Sequence, residues 1–397
     1  MGLLFDSIKK NNDRSIYFKT INVLTKQNRN LYAAFFQLTP FCNLKCKMCY
    51  ARLEPRDVLN GGKNIMRFGQ WKWFIDEAIK EGLTELSFTG GECTLHPDFC
   101  GIYSYAYNQG LQIYIMTNAV HITREIFDLW KKYPPSSISI TIYGSSADTY
   151  ERLCGDRNAY KKAYHNIRRL DEAGFNLQLK YTAVRENLMD MLSADRFCRE
   201  MGYLLSSTHI LIQYKQCDLN VLEKENADDE EFNIINQRIH REREDQSIME
   251  LNDKWEDEYE NICDLVMNKD TPKTGIVCSA ARNTCYIDWE GMMSPCVAFD
   301  AFYKDPRETG FHECWKEMTS WADQIPVLEE CIPCIHKYKC NRCIALHYND
   351  TGTFNKVSPR LCWKRKYPEQ AVEVEKALIA KGLLPMDYMM LESKGPS

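Results

Sequence analysis

Three closely spaced cysteines constrain this chain more than any other feature of its 397 residues. They lie in the segment Cys42-Asn43-Leu44-Lys45-Cys46-Lys47-Met48-Cys49-Tyr50, which follows the apolar run from Leu31 to Leu38. Thiolates at such spacing can hold an iron–sulfur cluster, and most clusters are closed by four cysteines. Three ligands would leave one iron open to a small molecule. The alternative is a zinc site or three unrelated buried thiols, although zinc normally takes four ligands and no histidine stands beside these cysteines.

The composition limits the class of protein. A net charge of −5 without a basic stripe argues against nucleic acid as the main partner. No apolar run reaches the roughly 18 residues that a membrane span needs, and residues 1–14 do not read as a secretory signal. We therefore expect a cytoplasmic protein that binds neither nucleic acid nor a membrane. Eighteen cysteines in such a protein favour metal binding over disulfides.

Strand and helix patterns alternate over the first half of the chain. Apolar spacing predicts strands at 30–38, 85–89, 112–116, 137–142, 176–183 and within 209–213, and helices over 70–81, 97–109, 123–133, 159–173 and 190–201. This alternation predicts an α/β fold whose parallel units form a partial (β/α)6 TIM-like barrel. Functional loops of such barrels follow the strands, as Cys42, Gly90, Thr117 and Tyr143 do here.

The second half of the chain is less regular. Mixed charges over 228–268 predict exposed helices or a linker, either a solvated connector or a surface that grips a peptide. Two short strands at 284–287 and 292–296 flank a predicted turn at 288–291. The predicted domains are an N-terminal lead-in at 1–30, the partial barrel at 31–215, a charged helical linker at 216–270, a cysteine-rich domain at 271–365, and a C-terminal helix and tail at 366–397.

The cysteine pattern closed by Tyr50 resembles the signature of the radical S-adenosylmethionine (SAM) superfamily. This resemblance implies a 4Fe–4S cluster whose open iron binds SAM, and one-electron cleavage of SAM to a 5′-deoxyadenosyl radical. Thr89-Gly90-Gly91-Glu92-Cys93 resembles the family's Gly-Gly-Glu turn, although Cys93 stands where proline is usual. By the same resemblance, the residues expected to contact SAM are Tyr50, Gly90, Gly91, Glu92, Thr117, Asn118, Thr141 and Arg152.

Two further thiols are candidates for catalysis. Cys93 and Cys154 are each a possible hydrogen-atom donor to a substrate radical, as an epimerase requires, or a plain buried thiol. Arg152 either pairs with the SAM carboxylate through its planar guanidinium or is a solvent-exposed helix residue. Tyr143 precedes Gly144 at a position where many members of the superfamily carry aspartate. Some peptide-modifying members carry Tyr-Gly there, so the resemblance at this position favours that branch.

The C-terminal cysteines resemble the SPASM domain, an extension with two auxiliary 4Fe–4S clusters. The resemblance assigns one cluster to Cys278, Cys285, Cys296 and Cys343, and the other to Cys331, Cys334, Cys340 and Cys362. The last spacing is x2 where the family typically has x3, which puts the partners of Cys340 and Cys343 in question. A pair of zinc sites is the alternative. Most of the remaining cysteines are expected to fill the core, and they are Cys93, Cys100, Cys154, Cys198, Cys217, Cys263 and Cys314.

The resemblance implies an oxidoreductase with three clusters and SAM that acts on a peptide or protein. We expect a maturase of a ribosomally made peptide that installs a thioether or carbon–carbon crosslink. A peptide epimerase and a sulfatase-maturase-like oxidase are alternatives, the latter disfavoured because Val297 replaces the aspartate expected there. A non-catalytic metal scaffold or electron carrier is the alternative outside enzymes. The expected electron donor is a protein such as flavodoxin or ferredoxin. Since only 41 residues precede Cys42, too few for a leader-binding domain, we expect either a separate leader-binding protein or another mode of substrate recognition.

Overall fold

The chain divides into two compact units, Met1–Pro272 with Ser279–Trp321, and Lys273–Cys278 with Ala322–Ser397. The computed structural model describes residues 21, 22, 24–55, 58, 61–209, 211, 227, 229–244, 274–299, 301–332, 334, 343–362, 365, 376 and 379. Most of the predicted lead-in, most of the predicted C-terminal helix, and Cys217, Cys263 and Cys340 lie outside these residues. The predicted domain boundaries stay predictions, but Ser279–Trp321 groups with the barrel rather than with the later cysteines.

The first unit is built on one sheet with the strand order β6-β5-β4-β3-β2-β1-β7-β8. All neighbouring strands are parallel except the antiparallel pair β7 and β8. Six consecutive parallel strands confirm the predicted α/β barrel topology. The strands are β1 Ala33–Gln37, β2 Glu85–Thr89, β3 Gln112–Thr117, β4 Ser137–Ile142, β5 Leu177–Thr182, β6 Leu205–Thr208, β7 Thr284–Ile287 and β8 Met293–Ser294.

Helices connect the strands and cover one face of the sheet. Even-numbered residues of the first two strands point at them: the ring of Phe36 lies 5.2 Å from Trp71, and that of Phe88 lies 6.4 Å from Phe99. The helices are α1 Phe68–Lys80, α2 Phe99–Asn108, α3 Arg124–Lys132, α4 Ala147–Cys154, α5 Arg157–Glu172, α6 Met191–Glu200, α7 Asp229–Glu244, α8 Pro306–Thr309, α9 Phe311–Asp323 and α10 Ile344–Thr351.

The opposite face of the sheet is polar. Ser87, Ser139, Thr141 and Lys180 alternate with the apolar residues that meet the helices. Thr141 of β4 stands opposite Lys180 of β5. Since the helices cover the apolar face, this polar face lines the concave side of the partial barrel.

Two sequence-based assignments are corrected. The last barrel strand is Leu205–Thr208, so its prediction within 209–213 was wrong. Only Leu205 of this strand is buried, and backbone pairing to β5 holds it, so hydropathy does not mark it. The helix α4 was not predicted, because eight residues give too short a periodic pattern. Its ends are nevertheless marked: Ser146 Oγ accepts from the Thr149 N–H, and Gly155 has a φ of 73°.

The charged segment contains a helix that packs on the barrel. Asp195 of α6 is fully buried, and its carboxylate accepts from Arg199 at 2.8 Å and from Arg243 of α7 at 2.5 Å. Phe232 and Ile239 on α7 are also buried. The described part of the segment is therefore a docked helix with one apolar face rather than a fully solvated connector.

The hairpin formed by β7 and β8 extends the barrel sheet. The predicted turn is present, with the Asp288 carboxylate accepting from the Glu290 and Met292 N–H groups at 2.9 Å each. β7 pairs with β1 from Ala33–Thr284 to Phe36–Ile287. Cys285 consequently lies in a strand of the first unit, one strand away from the cysteine loop.

The second unit is small in its described part. Thr274 Oγ1 donates to the Ala322 carbonyl at 2.6 Å, and the Gly275 N–H donates to the Ile325 carbonyl at 2.8 Å. A Cβ on Gly275 would lie 2.1 Å from the Pro326 carbonyl oxygen, so glycine is required at this close approach. Its helix is α10, which begins directly after Cys343.

Candidate functional site

The loop of residues 39–50, which carries the three cysteines, stays attached to the turn after β2. The Gly91 N–H donates to the Thr39 carbonyl, and the Glu92 N–H donates to the Phe41 carbonyl, both at 2.8 Å. A Cβ on Gly91 would lie 2.4 Å from the Phe41 carbonyl oxygen. Only glycine permits this approach, which fixes Cys42 beside the glutamate.

The three cysteines interact with one another. Burial, with smaller contributions from the charges of Glu92, Cys46 and Cys49, raises the pKa of the Cys42 thiol to about 12. Backbone N–H groups point at two of the sulfurs, from Leu44 to Cys42 at 3.4 Å and from Ala51 and Arg52 to Cys49. Hydrogen bonds of this kind are found on iron–sulfur thiolates and tune the cluster.

This geometry suits a cluster better than a single ion. Within the described ranges, no three His, Cys, Asp or Glu side chains converge on one metal ion. A cubane cluster spreads its thiolates over separate irons, so its ligands surround a volume rather than a point. The donor set and the N–H groups on its sulfurs therefore fit three ligands of a 4Fe–4S cluster.

Glu92 is a buried carboxylate beside the cysteine loop. It accepts from Thr94 Oγ1 at 2.7 Å, from Thr117 Oγ1 at 2.9 Å and from the Asn118 N–H at 2.8 Å. Burial raises its pKa, and these hydrogen bonds lower it. No lysine, arginine or histidine among the described residues pairs with it. A buried carboxylate without a cation suits a positively charged group of a ligand, such as an ammonium.

Asn118 ties the end of β3 to the cysteine loop. Its Nδ2 donates to Asn43 Oδ1 at 2.8 Å and lies 3.6 Å from Cys42 Sγ. Glu92, Thr117 and Asn118, three of the predicted SAM contacts, are thus brought together beside Cys42. Asn43 was not among the predicted residues, and its place directly after the first cysteine was the available signal.

Tyr143 and Cys154 both contact Cys46. The Cys154 thiol and the Tyr143 hydroxyl lie close enough to the Cys46 thiol to shift its pKa, which Cys154 raises and Tyr143 lowers. The Lys45 N–H also donates to the Cys154 carbonyl at 2.8 Å, so the end of α4 supports the loop. The sequence marked Tyr143 only as a departure from aspartate, and its contact with a cluster cysteine was not predicted.

The two candidate hydrogen donors are buried. Cys93 Sγ lies 3.4 Å from the Met116 carbonyl, and the side chains of Cys93 and Cys154 are fully buried. Each thiol therefore already has a partner, the Met116 carbonyl for Cys93 and Cys46 for Cys154. Their catalytic role stays a prediction.

The other predicted SAM contacts are more dispersed. Thr141 is half-buried on the concave face, whereas Arg152 is exposed on α4, where its Nη2 donates to Thr149 Oγ1 at 3.3 Å. Burial raises the pKa of Tyr50 to about 12, with further contributions from the Cys49 and Cys296 charges. Tyr50 thus lies close to a cysteine from each of the two sequence motifs, a proximity that spacing did not predict.

The predicted auxiliary ligands are distributed over both units. Cys285 and Cys296 belong to the first unit, and all of the others belong to the second. In the second unit, burial raises the pKa of Cys343, and the charge of Cys278 raises it further, so these two thiols are close. Cys278 and Cys343 share one predicted cluster. The two ligand sets stay predictions, and Cys340 lies outside the described residues.

The sequence model of the Radical SAM superfamily matches residues 36–198 of this chain. Residues 36–198 form a radical SAM domain. The match begins in β1 and ends in α6, and it contains the cysteine loop, the Gly91–Glu92 turn and Asn118. The superfamily uses SAM and a 4Fe–4S cluster, in agreement with the fit described above. No helix in the described part of this radical SAM enzyme is long and apolar enough to cross a membrane.

Relatives of known activity differ in how much of the chain they match. An AdoMet-dependent heme synthase of Methanosarcina barkeri is 24% identical over 341 residues, covering 82% of this chain and 94% of the relative. The subtilosin biosynthesis protein AlbA of Bacillus subtilis is 23% identical over 170 residues, covering 43% of this chain and 37% of AlbA. The crystal structure of Streptococcus suis SuiB bound to SAM aligns with a TM-score of 0.63 at 14% identity, over 84% of this chain and 78% of SuiB.

Proposed function

We propose that this radical SAM enzyme matures a ribosomally made peptide by installing a thioether or carbon–carbon crosslink. The observation that carries its SAM chemistry is the buried Glu92 carboxylate, which pairs with no cation among the described residues and is fixed beside Cys42. The peptide substrate is supported by the likeness of the barrel to AlbA, a subtilosin biosynthesis protein. Tyr143, in contact with Cys46, adds to this support, because Tyr-Gly at this position resembles peptide-modifying members.

The chain's own residues have separate roles in this proposal. Cys42, Cys46 and Cys49 hold the cluster, and the Glu92 carboxylate accepts from the SAM ammonium. Thr117 and Asn118 keep that carboxylate oriented, because their donors occupy its oxygens. When bound, the cluster and SAM supply a 5′-deoxyadenosyl radical that abstracts a hydrogen atom from the substrate.

The SAM contacts expected from Tyr50, Gly90, Gly91, Thr141 and Arg152 belong to the proposal as well. Gly91 acts through its lack of a side chain, which brings the turn against the loop. Arg152 is exposed, so it would have to turn inward to reach a carboxylate. Two auxiliary clusters on the C-terminal cysteines would take the surplus electron of a crosslinking reaction.

A second candidate is a modification of an iron tetrapyrrole. It is favoured by the match with the heme synthase, which spans 82% of this chain, whereas AlbA matches only 43%. Lys180 on the concave face also suits a substrate with carboxylates: burial lowers its pKa, no described carboxylate pairs with it, and an arriving carboxylate would restore its charged form. Epimerisation and sulfatase-type oxidation are supported less, because the Cys154 thiol is buried next to Cys46 and Val297 is not a base.

The first test is metal content and SAM cleavage of the anaerobically reconstituted protein. We expect about twelve irons per chain and release of 5′-deoxyadenosine under dithionite. Serine at Cys331 and Cys334 should lower the iron to about eight without stopping SAM cleavage. Cys314→Ser, at a buried core thiol outside the predicted ligand sets, is the control and should keep all the iron. Absence of iron and of cleavage would refute the whole proposal.

The second test separates the substrates. The loaded enzyme is offered short peptides encoded near its gene and, separately, carboxylated iron tetrapyrroles that precede heme. Loss of two hydrogens from a peptide supports the maturase, whereas loss of carboxylate mass from the tetrapyrrole supports the second candidate. Glu92→Gln should abolish turnover of either substrate, because an amide cannot supply the negative charge for the ammonium.

A further inference from the structure

A cationic cleft of about 550 Å³ opens between α5 and α6. Lys161, His165 and Arg168 line it at a spacing of four and three residues, which places them on one exposed face of α5. No carboxylate lines this cleft, and no ion pair to Lys161 or Arg168 is formed by the residues that the structure describes. The cleft therefore presents positive charge to solvent.

One carboxylate, Asp190 before α6, stands beside the cleft and accepts from the Ser145 N–H at 2.9 Å, and it offsets only part of the charge of Lys161 and Arg168. The acids on α4 and α7 are paired elsewhere. On α4, Asp148 and Glu151 both bind Arg157. On α7, Glu242 binds Arg196 and Arg199 of α6. Each of these acids is already matched by an arginine outside the cleft. A partner that pairs with Lys161 and Arg168 must bring its own negative charge.

Aromatic rings lead from the cleft to the cysteine loop. Phe197, Tyr164 and Tyr160 line the cleft. The innermost ring is Tyr143, which adjoins Cys46. The rings follow one another at centroid distances of 4.4 Å from Phe197 to Tyr164, 4.5 Å to Tyr160, 5.7 Å to Tyr150 and 6.0 Å to Tyr143.

We propose that an acidic one-electron-transfer protein docks on this cleft and that its electron reaches the cluster through the packed ring path. The inference rests on the proposed function, because it needs a cluster on Cys46. One electron leaves the reduced donor, a flavodoxin or ferredoxin, and enters the oxidised cluster. No bond forms or breaks and no proton moves. The rings are not themselves oxidised, and they provide a continuous packed medium without a gap.

Two observations together favour this partner over other anions. The charge of the cleft fits any acidic surface, but the ring path connects this particular surface to a cluster ligand. A nucleotide or nucleic acid would use the positive charge without needing the path. The cleft also opens beside the loop after β4, on the side of the barrel where the strands end and the cysteine loop lies.

The docking test measures binding of an oxidised, acidic flavodoxin to the reconstituted holoenzyme by calorimetry. We expect binding that weakens as salt is raised, since exposed charges are screened. Lys161→Glu with Arg168→Glu should weaken it by about tenfold or more. The control is Lys131→Glu with Lys132→Glu, which makes the same change of net charge at the exposed end of α3 and should stay within about twofold of the parent. Equal losses in both variants, or tighter binding of an oligonucleotide than of flavodoxin, would overturn the proposal.

The path test follows reduction of the cluster by its optical absorbance. Flavodoxin is added at a concentration well above its dissociation constant, so that the measured rate reports electron transfer and not binding. Tyr150 is a fully buried ring of the path and does not line the cleft. Tyr150→Leu should slow reduction by flavodoxin severalfold while leaving the dissociation constant unchanged, and Tyr150→Phe, which keeps the ring, should keep the rate. Dithionite, which needs no docking surface, should reduce every variant at the parent rate. Unchanged reduction by flavodoxin in the cleft variant refutes the inference. A parent protein that holds no iron, or that dithionite cannot reduce, refutes the proposed function instead.

Discussion

Replacing Gly91 by alanine should separate the glutamate turn from the cysteine loop. The new Cβ would lie 2.4 Å from the Phe41 carbonyl oxygen and 2.7 Å from the Pro40 carbonyl oxygen. An ordinary van der Waals contact is about 3.5 Å, so one segment must withdraw by about 1 Å. Such a shift breaks both 2.8 Å hydrogen bonds between Thr39–Phe41 and Gly91–Glu92.

The magnitude follows from these contacts. Two lost backbone hydrogen bonds cost about 1 kcal/mol each, and residual overpacking adds about 1 kcal/mol, for a loss of about 3 kcal/mol in the free energy of unfolding. The backbone of Gly91 does not adopt a positive φ, so the cost arises from the clash alone. SAM affinity should fall as well, because Glu92 moves relative to Cys42.

The assay is urea unfolding of the unloaded protein, followed by SAM binding to the reconstituted protein. Gly69→Ala is the matched control: Gly69 lies in α1, and a Cβ there would have no atom within 4 Å. This control should unfold at the same urea concentration or higher, since alanine favours a helix by up to about 1 kcal/mol. If Gly91→Ala unfolds at the same urea concentration as Gly69→Ala and binds SAM as tightly as the parent protein, the described contact between the turn and the loop is wrong.

Three other perturbations test separate parts of the structure. Asp195→Ala should cost about 3–5 kcal/mol in urea unfolding, because it leaves Arg199 and Arg243 without their buried carboxylate, whereas removal of Asp128 from its exposed pair with Arg124 should cost under about 1 kcal/mol. The free energy of unfolding should fall as the pH drops through about 6.5, since burial lowers the pKa of His96, so the unfolded chain takes up the proton first. That part of the pH dependence should vanish in His96→Gln and persist in a surface His165→Gln. Thr117→Val should weaken SAM binding about tenfold without loss of iron, because Glu92 loses one donor while the cysteines are untouched; iron loss would contradict it.

The pH effect on His96 has a geometric basis. Its Nδ1 lies 3.0 Å from the Asp98 N–H and accepts from it, and its Nε2 lies 2.8 Å from the Met66 carbonyl. This pattern needs a neutral ring with the proton on Nε2. Protonation of Nδ1 would place two donors face to face, which explains why the folded state resists the second proton.

The order of elements and the first motif followed from local pattern. Alternating apolar residues identified five of the six barrel strands close to their observed positions. Cys42, Cys46 and Cys49 were singled out by their spacing and Glu92 by the resemblance of its turn to a family motif, and their roles stay predictions. β6 was misplaced because its hydroxyl-rich sequence carries little hydropathy, and pairing with β5 decides it. α4 was missed because eight residues are too few for a clear period.

The sequence by itself determined the barrel class, the three-cysteine loop and the Gly91–Glu92 turn, since each depends on residue types a few positions apart. Only the tertiary structure decided that Tyr143 and Cys154 lie next to Cys46, that Tyr50 lies near Cys296, and that β7 continues the barrel sheet beside β1. These contacts join residues up to about 250 positions apart. They arise from packing between distant segments, which neither periodicity nor local spacing encodes.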